Sequence, residues 1–357
     1  MKININCPIN DTGYGISSYN IWSKFYNRYP DTTTLFPIGG INIEDNISTK
    51  NSITHSIKNQ SISSADSCCL KIWHMHDLFS RIGHGQYLAL PFFETDLLTA
   101  SEKAALSHVD TVLTTTNWSK NVLINNGVDD QKIHLCPLGV DHNIFDGVQP
   151  NDREDEPYIF INIGKWEIRK SHDILVEAFN AAFDKEDRVQ LWMVNQNPFL
   201  NKEQNYEWIN LYKQSKLGDK IKIFPRFQSH KNIASLIGYA DCGVYISRAE
   251  GWNNEILETM AMNKPIIATN YSAHTEYCNK DNSYLVDIDE LETAVDNRWF
   301  DGSRGRWAKI GSKQISSIID NMRYVVKNNI KTNPNGLQTS KIYTWDNTVN
   351  HILKAVK

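Results

Sequence analysis

The feature that most constrains the fold of this chain is an alternation of short apolar segments with helix-like amphipathic segments, which occurs twice. The first series contains KININC, CCLKIWHM, YLALPFF, TVLTTT and KIHLCPL. The second series contains YIFINIG, VQLWMVN, IKIFP, CGVYIS and PIIAT. Such alternation predicts mostly parallel sheets that are covered by helices on both faces. We therefore predict an α/β protein with two doubly wound, Rossmann-like domains that face a cleft.

The segment between the two series has the composition of an interdomain linker. Residues 147–157, GVQPNDREDEP, combine two prolines with a run of charged residues. We predict one domain over residues 1–148, a second over 155–340, and a last amphipathic helix at about 344–357. The length of 357 residues suits two domains of average size.

Charge and cysteine usage narrow the class of partner and the compartment. The net charge is −4, and its acidic excess lies in residues 1–150, which hold 10 Lys+Arg against 14 Asp+Glu. This balance argues against a nucleic-acid partner and allows at most weak contact with an anionic membrane. The six cysteines form no C-x-x-C pair, and the sequence has neither a signal peptide nor an apolar stretch long enough for a membrane span. We predict a reduced, cytoplasmic protein.

The strongest candidate site is the segment SRAEGWNNEILETMAMNKPIIATN, residues 247–270. It follows a buried strand, and the carboxyl ends of parallel strands are where doubly wound folds bind ligands. Asn253 or Asn254 can cap the next helix, whose first-turn amides can then bind a phosphate or sugar oxygen. The carboxylates of Glu250 and Glu258 suit sugar hydroxyls better than phosphate. The alternative is an ordinary turn residue at 250 and a solvent-facing helix residue at 258.

A second candidate is NIGKWEIRKSHDIL, in which a predicted strand ends at Gly164 and a helix begins near Ser171, a plausible N-cap. Three cations, Lys165, Arg169 and Lys170, fall on this strand-to-helix turn. Because this turn and the Glu250 turn both follow parallel strands, we expect them to share one edge of the sheet. The cations would then clamp a diphosphate without a metal ion. The alternative is that they are solvated surface charges.

Three weaker candidates lie in the first domain. In NDTGYGISSYN, Gly15 can let backbone amides approach a phosphate, although the dinucleotide-binding fingerprint is incomplete. In KIWHMHDLF, His74 and His76 resemble a zinc pair but lack a third ligand, so we predict no metal and favour packing or acceptor binding. In LPFFETDLL, Glu94 is placed to face the cleft, while Thr95 or Asp96 can cap the following helix.

With these residues in view, the chain resembles the retaining sugar transferases of glycosyltransferase family 4, which have the GT-B fold, over nearly its whole length. The most specific element is Glu250, seven intervening residues and Glu258, which is similar to the E-x7-E element of that family. IGKWEIRKSHDIL, PLGVDHNIF and GYGISSY are similar to three further family elements. All four occur in the family's order.

The resemblance implies a role for each matching residue. Lys165 and Lys170 would hold the donor diphosphate, Glu258 the ribose hydroxyls, and Glu250 the hydroxyls of the transferred sugar. The final helix would cross back to the first domain. The wider donor site that we infer from the candidates and the resemblance comprises Gly15, Gly164, Arg169, Trp252, Asn253 and Asn254.

The chain departs from the family pattern at four places. Lysine replaces arginine at 165, Ser171 replaces glycine, NNE at 253–255 replaces G-L-P, and Glu94 replaces a histidine that touches the donor sugar. These departures bear on the identity of the transferred sugar.

From the residues and the resemblance together we predict a cytoplasmic hexosyltransferase of polysaccharide biosynthesis. It would use a UDP- or GDP-linked sugar, a glycan or small-molecule acceptor and no cofactor or metal, with Glu94 or His76 as auxiliary catalytic groups. A nucleotide-sugar epimerase of the same fold and a non-catalytic nucleotide-sugar binder remain as alternatives.

Overall fold

In a computed structural model that describes residues 2–42, 47–147, 156–227 and 229–356, the chain divides into two compact units. The first contains Met1–Gly139 and Tyr343–Lys357, and the second contains Val140–Ile342. Most of the predicted linker, residues 148–155, lies outside the described residues.

The first unit has a six-stranded parallel sheet in the order β2-β1-β3-β4-β5-β6. Every residue of its central first strand is buried, as expected for a parallel sheet covered on both faces. The strands are β1 (Ile3–Cys7), β2 (Thr33–Pro37), β3 (Cys68–Lys71), β4 (Tyr87–Ala89), β5 (Thr111–Thr114) and β6 (Ile133–Leu135). Its first four helices are α1 (Gly13–Arg28), α2 (Ile47–Lys58), α3 (Ala100–Ser107) and α4 (Asn117–Asn125).

The second unit has its own six-stranded parallel sheet, in the order β12-β11-β10-β7-β8-β9. Its strands are β7 (Tyr158–Ile163), β8 (Val189–Val194), β9 (Ile221–Ile223), β10 (Cys242–Tyr245), β11 (Ile266–Asn270) and β12 (Tyr284–Asp287). Its first four helices are α5 (His172–Ala182), α6 (Lys202–Lys213), α7 (His230–Tyr239) and α8 (Asn254–Ala261). The prediction of two doubly wound α/β sheets is therefore confirmed.

The second unit also contains elements that the sequence pattern did not predict. An antiparallel hairpin is formed by β13 (Leu291–Val295) and β14 (Asp301–Ala308), which pair with a register shift. Two helices follow it, α9 (Ser312–Lys327) and α10 (Pro334–Ser340). Helices α5 and α9 pack on the sheet through a core that includes Phe160, Phe179 and Met322, all fully buried.

The final helix, α11 (Trp345–Ala355), belongs to the first unit. It packs beside α1, where Asp346 accepts hydrogen bonds from Lys24 at 2.7 Å and from Arg28 at 2.8 Å. The backbone of Gly139 packs closely against the start of this helix, because a Cβ atom on residue 139 would lie 2.2 Å from the amide nitrogen of Trp345. No helix in the described ranges is both long enough and apolar enough to span a lipid bilayer.

Helix α3 has a different cap from the one that the sequence predicted. It begins after Thr99, whose hydroxyl and Glu102 form a capping box, so neither Thr95 nor Asp96 caps it. The first turn starts a few residues from the predicted position, because the capping contacts depend on geometry that residue types alone do not fix.

Candidate active site

The loop between β7 and α5 brings its basic side chains to the carboxyl end of β7, where the sequence placed them. The buried Lys170 side chain folds back over Gly164, where a Cβ atom would lie 2.9 Å from the lysine Cδ. Lys165 is the most exposed of the three cations, with 36% of its side chain accessible, and pairs with Glu167 at 3.0 Å. The absence of a side chain at Gly164 thus leaves room for Lys170, six residues later.

Glu250 is the centre of a buried ion-pair network. Its Oε1 accepts hydrogen bonds from Lys170 Nζ at 2.9 Å and from Ser247 Oγ at 2.8 Å, and its Oε2 accepts one from Arg169 at 2.7 Å. The Ser272 hydroxyl accepts the Glu250 amide hydrogen at 2.9 Å. Burial opposes ionisation, but the two cations outweigh it and hold the pKa of Glu250 well below its usual range. Glu250 is therefore a permanent anion.

Arg169 and Lys170 differ in what they offer to a ligand. Arg169 donates to the Ala249 carbonyl at 2.7 Å, to Glu250, and to the Glu167 carboxylate at 2.8 Å. Both of its terminal nitrogens are thus bound to protein acceptors, and its contact with a donor stays a prediction. Burial of Lys170 acts to lower its pKa, but the charge of Glu250 outweighs burial and raises the pKa of the lysine. Lys170 therefore remains an ammonium ion.

Glu258 is the opposite case, because it is a carboxyl group buried without a partner. Only 9% of the residue is exposed, and its side chain forms no hydrogen bond or ion pair among the described residues. Burial, together with the charge of Glu255, raises its pKa to about 8. Glu255 also lies 3.9 Å from Lys170 Nζ, which connects the start of α8 to the Glu250 network. A buried unpartnered carboxyl costs stability, and such groups cluster at functional sites.

The start of α8 carries two further unpartnered acceptors. Asn253 occupies the N-cap position with a left-handed backbone, φ 78°, but its side chain caps no helix amide. Its amide nitrogen donates to His274 at 3.0 Å, so its Oδ1 remains buried without a partner, as does Oδ1 of Asn254. Asn253 thus occupies the predicted N-cap position, but its side chain makes no capping hydrogen bond. The two amide oxygens keep unfilled hydrogen-bonding capacity inside the protein.

Trp252, another predicted donor-site residue, is buried and has a packing contact. Its ring meets Tyr277 edge to face with centroids 5.1 Å apart, and the Tyr277 hydroxyl donates to the Trp252 carbonyl. Tyr277 also donates to the Asn253 carbonyl at 3.2 Å. The aromatic pair therefore holds the backbone of this turn.

Two buried histidines support these loops, and sequence reasoning missed both. His172 accepts the Glu167 amide hydrogen at 3.1 Å and lies 3.0 Å from Asn162 on β7. His274 lies 3.0 Å from the Thr269 carbonyl and contacts Asn253. Burial lowers the pKa of His172 to about 3 and that of His274 to about 4, so both are neutral and hold the loops by hydrogen bonds. A single histidine in a sequence gives no signal that distinguishes this role.

Ser171 does not act as the predicted side-chain cap of α5. It has a left-handed backbone, φ 57°, and makes no capping hydrogen bond. Its hydroxyl lies 3.3 Å from Arg248, which also binds both oxygens of Asp173 at 2.9–3.0 Å. The left-handed geometry accounts for glycine being usual at this position in the family that the sequence resembles. Arg248, which joins the β10 loop to α5, is another residue that the sequence did not single out.

The remaining candidates belong to the first unit. Gly15 is buried in the first turn of α1, where a Cβ atom would lie 2.1 Å from Asn10 Oδ1, so the Asn10 loop accounts for this glycine without a phosphate. Glu94 is half-buried after β4, and His76 is exposed after β3 with its ring stacked on His74 at 5.5 Å.

Metal binding has no geometric support within the described residues. No three His, Cys, Asp or Glu side chains there are grouped closely enough to hold a metal ion. The Asp287–Asp289 segment, which resembles a short metal motif, is engaged elsewhere, because Asp287 accepts from Asn270 at 2.8 Å and Asp289 pairs with Lys313 at 2.7 Å.

A substitution at Gly164 tests the packing of Lys170. We expect Gly164→Ala to lower the activity of the site by about 10²-fold, because the new methyl group displaces the lysine and small misplacements of a catalytic group have effects of this size. Gly40→Ala is the matched control, since a Cβ atom there meets nothing within 4 Å. Donor turnover measured for both variants checks this, and equal activity would contradict it.

Comparison with known sequences gives a family match for part of the chain. Residues 157–298, all in the second unit, match the family model described as glycosyl transferases group 1. No curated protein sequence matches the chain.

Solved structures match the whole chain at low identity. A glycosyltransferase from Rickettsia africae ESF-5 is 18% identical with a TM-score of 0.70, covering 100% of this chain and 97% of that one. Sucrose-phosphate synthase from Thermosynechococcus elongatus is 14% identical with a TM-score of 0.72, covering 99% and 98%. Anabaena HepE in complex with UDP-glucose is 15% identical with a TM-score of 0.70, covering 99% and 98%.

Proposed function

We propose that this protein is a retaining hexosyltransferase, on the premise that residues 157–298 match the family model of the group 1 glycosyl transferases and that the chain has the GT-B fold. It moves a hexose from a UDP- or GDP-linked donor to a hydroxyl group of a glycan or other acceptor. The reaction requires no metal ion and no resident cofactor. The predictions of a cytoplasmic location and of no nucleic-acid partner belong to the same proposal.

The observation that carries this proposal is the buried carboxyl of Glu258, which lacks a partner, on a helix whose first turn reaches the buried Lys170–Glu250 pair through Glu255, 3.9 Å from Lys170 Nζ. A carboxylate can accept two hydrogen bonds from the vicinal hydroxyls of a ribose, and Glu258 has no protein group to satisfy it. An ammonium ion at the start of the same helix supplies the charge that a diphosphate needs. HepE, which has the same fold, is described in complex with UDP and with UDP-glucose.

The catalytic task falls on charge stabilisation. When the bond from the anomeric carbon to the donor phosphate breaks, negative charge develops on the leaving diphosphate. Lys170 and Lys165, with the first-turn amides of α8, neutralise that charge without rearranging, which is the most effective form of electrostatic catalysis. The acceptor hydroxyl enters from the face that the phosphate leaves, so the configuration is retained, and the leaving phosphate takes its proton.

Glu250 has two functions in this scheme. Three of the roughly four lone-pair sites of its carboxylate are occupied by Lys170, Arg169 and Ser247. Its first function is to hold Lys170 in place. The remaining site can accept a hydroxyl of the transferred hexose, next to the unpartnered amide oxygens of Asn253 and Asn254. Glu94 and His76, from the first unit, remain proposed helpers toward the acceptor.

Direct assay with sugar nucleotides tests the proposed function. The full chain is incubated with UDP-glucose, UDP-galactose or GDP-mannose, with and without candidate glycan acceptors and with and without EDTA, while proton NMR follows the anomeric signals. We expect release of the nucleoside diphosphate and an α-linked product from an α-linked donor, unchanged by EDTA. Interconversion of donors without acceptor would identify an epimerase, and binding without turnover a non-catalytic binder.

Glu258→Gln is expected to stabilise the ligand-free protein at alkaline pH. The folded-state pKa of Glu258 is raised from 4.5 to about 8, so the stability tied to its neutral form is fully present below pH 4.5 and is lost as pH rises through 8. Glutamine stays neutral, and we expect a gain of about 1–3 kcal/mol in the free energy of unfolding at pH 9. Urea unfolding at pH 5 and pH 9 measures this, and equal stability of variant and wild type at pH 9 would contradict it.

The same substitution is expected to weaken nucleotide binding. Only the ionised carboxylate accepts both ribose hydroxyls, so the affinity of the wild type for a nucleoside diphosphate rises between pH 6.5 and 9, and the rise is smaller in Glu258→Gln. Isothermal titration with UDP and GDP measures the affinity of both proteins at each pH. Comparing the two proteins cancels the effect of the ligand phosphate, which titrates in the same way for both. We expect Glu258→Gln to lose more nucleotide affinity than Glu250→Gln.

A further inference from the structure

Two large aromatic side chains stand exposed on the second unit, beside the loop that carries Lys165. Phe199 follows β8 and is 48% exposed, and Trp299 lies in the turn between β13 and β14 and is 46% exposed. Their ring centroids are 6.1 Å apart, with the planes at 82°. A pair of adjacent exposed aromatic rings is unusual for a purely structural surface and indicates a binding surface.

The turn that carries Trp299 is held by hydrogen bonds. One carboxylate oxygen of Asp296 accepts the amide hydrogens of residues 298–300 at 2.7–2.9 Å. The Arg298 guanidinium donates to the Phe199 carbonyl and lies 5.2 Å from the centroid of the Trp299 ring. The two rings are thus fixed before any ligand arrives, which lowers the entropic cost of binding.

The aromatic pair is continuous with the donor site. Lys165 Nζ, a proposed diphosphate ligand, lies 5.0 Å from the centroid of the Phe199 ring. At the base of the hairpin, Trp307 is buried in a small core with Ala249, and Ile168 packs against that core. Ala249 and Ile168 directly precede Glu250 and Arg169 in sequence. The hairpin therefore rests on the two loops that form the ion-pair network.

We propose that Phe199 and Trp299 form an acceptor subsite in which a pyranose ring stacks by its C–H face on an aromatic ring. This inference rests on the proposed function. The rings are flanked by two donors, Lys165 and Arg298. Acceptors stand beside them, because Glu167 pairs with Lys165 at 3.0 Å and Gln204 accepts from Arg298 at 3.2 Å. A pyranose offers hydroxyls that both donate and accept beside an apolar C–H face, which matches this combination. The donor sugar and ribose are already assigned to the buried carboxylates, which leaves this exposed surface to the acceptor.

Saturation-transfer NMR with methyl α-D-glucopyranoside and methyl α-D-galactopyranoside tests the subsite. The full chain is compared with Trp299→Ala and Phe199→Ala, and with Tyr324→Ala, which removes an exposed aromatic residue from α9. We expect transfer from aromatic protons to the pyranose ring in the wild type and in Tyr324→Ala. Affinity for the glycoside that binds should fall roughly tenfold in Trp299→Ala, the size expected for loss of one stacking partner.

Titration of the same proteins with UDP separates the possible outcomes. Unchanged UDP affinity in Trp299→Ala, with weakened glycoside binding, supports the acceptor subsite. Loss of UDP affinity would assign the rings to a nucleobase, and it would overturn the proposal, as would the absence of transfer to either glycoside or equal transfer in wild type and Trp299→Ala. Failure of the proposed function would instead appear as absence of nucleotide binding and donor turnover in the wild type.

Discussion

Replacement of Lys170 by methionine is expected to reduce turnover by about 10²- to 10³-fold while leaving the chain folded. The Lys170 ammonium is buried and lies 2.9 Å from the Glu250 carboxylate and 3.9 Å from that of Glu255 in the first turn of α8. Methionine fills a similar volume, and Glu250 keeps Arg169 as a partner, so the loss falls on the transition state rather than on folding.

The measurement compares kcat for sugar transfer and for donor hydrolysis in wild type, Lys170→Met and Lys313→Met. Lys313 forms an exposed ion pair with Asp289 and controls for the loss of a lysine as such. Because the pKa of Lys170 is raised above 10.5 by Glu250, wild-type activity should show no loss from deprotonation of this lysine below that pH. Near-normal turnover in a folded Lys170→Met protein would contradict the proposal that Lys170 stabilises the negative charge of the leaving diphosphate.

Substitution of Glu250 by glutamine is expected to destabilise the protein by about 3–5 kcal/mol. Both Lys170 and Arg169 are buried and share Glu250 as a counter-ion. Without it Arg169 keeps Glu167, but Lys170 keeps Glu255 at 3.9 Å, so its charge is poorly compensated in a low-dielectric environment. The effect should also change the acid sensitivity of the fold. Because the folded-state pKa of Glu250 is depressed, its contribution to stability is present above 4.5 and is lost as pH falls, and this dependence is absent in the variant.

Asp346→Asn provides the matched control for this prediction. Asp346 also pairs with two cations, Lys24 and Arg28, but about half of its side chain is exposed to solvent. Exposed pairs are worth about 0–1 kcal/mol, so the two variants separate the effect of burial from the effect of removing a carboxylate. Urea unfolding at pH 7 measures both. A loss of less than 1 kcal/mol in Glu250→Gln would show that the network contributes little to folding.

Local patterns predicted much of the second unit because its strands are covered on both faces. Continuous apolar runs such as YIFINIG became buried strands. The pattern missed β2, which begins with Thr33 and Thr34, because buried threonines interrupt the apolar signal. It also missed the β13–β14 hairpin, whose alternating polar residues resemble a loop.

The residues of the candidate site also divide into those that sequence patterns indicated and those that only the structure revealed. Residue type and spacing led to Glu250, Glu258, Lys165 and Lys170, because paired carboxylates and clustered cations after parallel strands are uncommon without a function. The roles of Arg169, His172 and His274 could not be obtained in this way. Each is decided by contacts with residues far away in sequence, such as Ala249 for Arg169 and Asn162 for His172.

The sequence by itself determined the two α/β sheets and the edge of the second sheet at which ligands should bind, since both depend on the order of apolar and polar segments along the chain. Only the tertiary structure decided which charges neutralise one another. Glu250 is a buried anion held by two cations, whereas Glu258, eight residues later, is a buried acid with a pKa of about 8. The cause is the burial of each carboxyl group in a low-dielectric environment and its distance from the nearest cation. Local residue order encodes neither quantity.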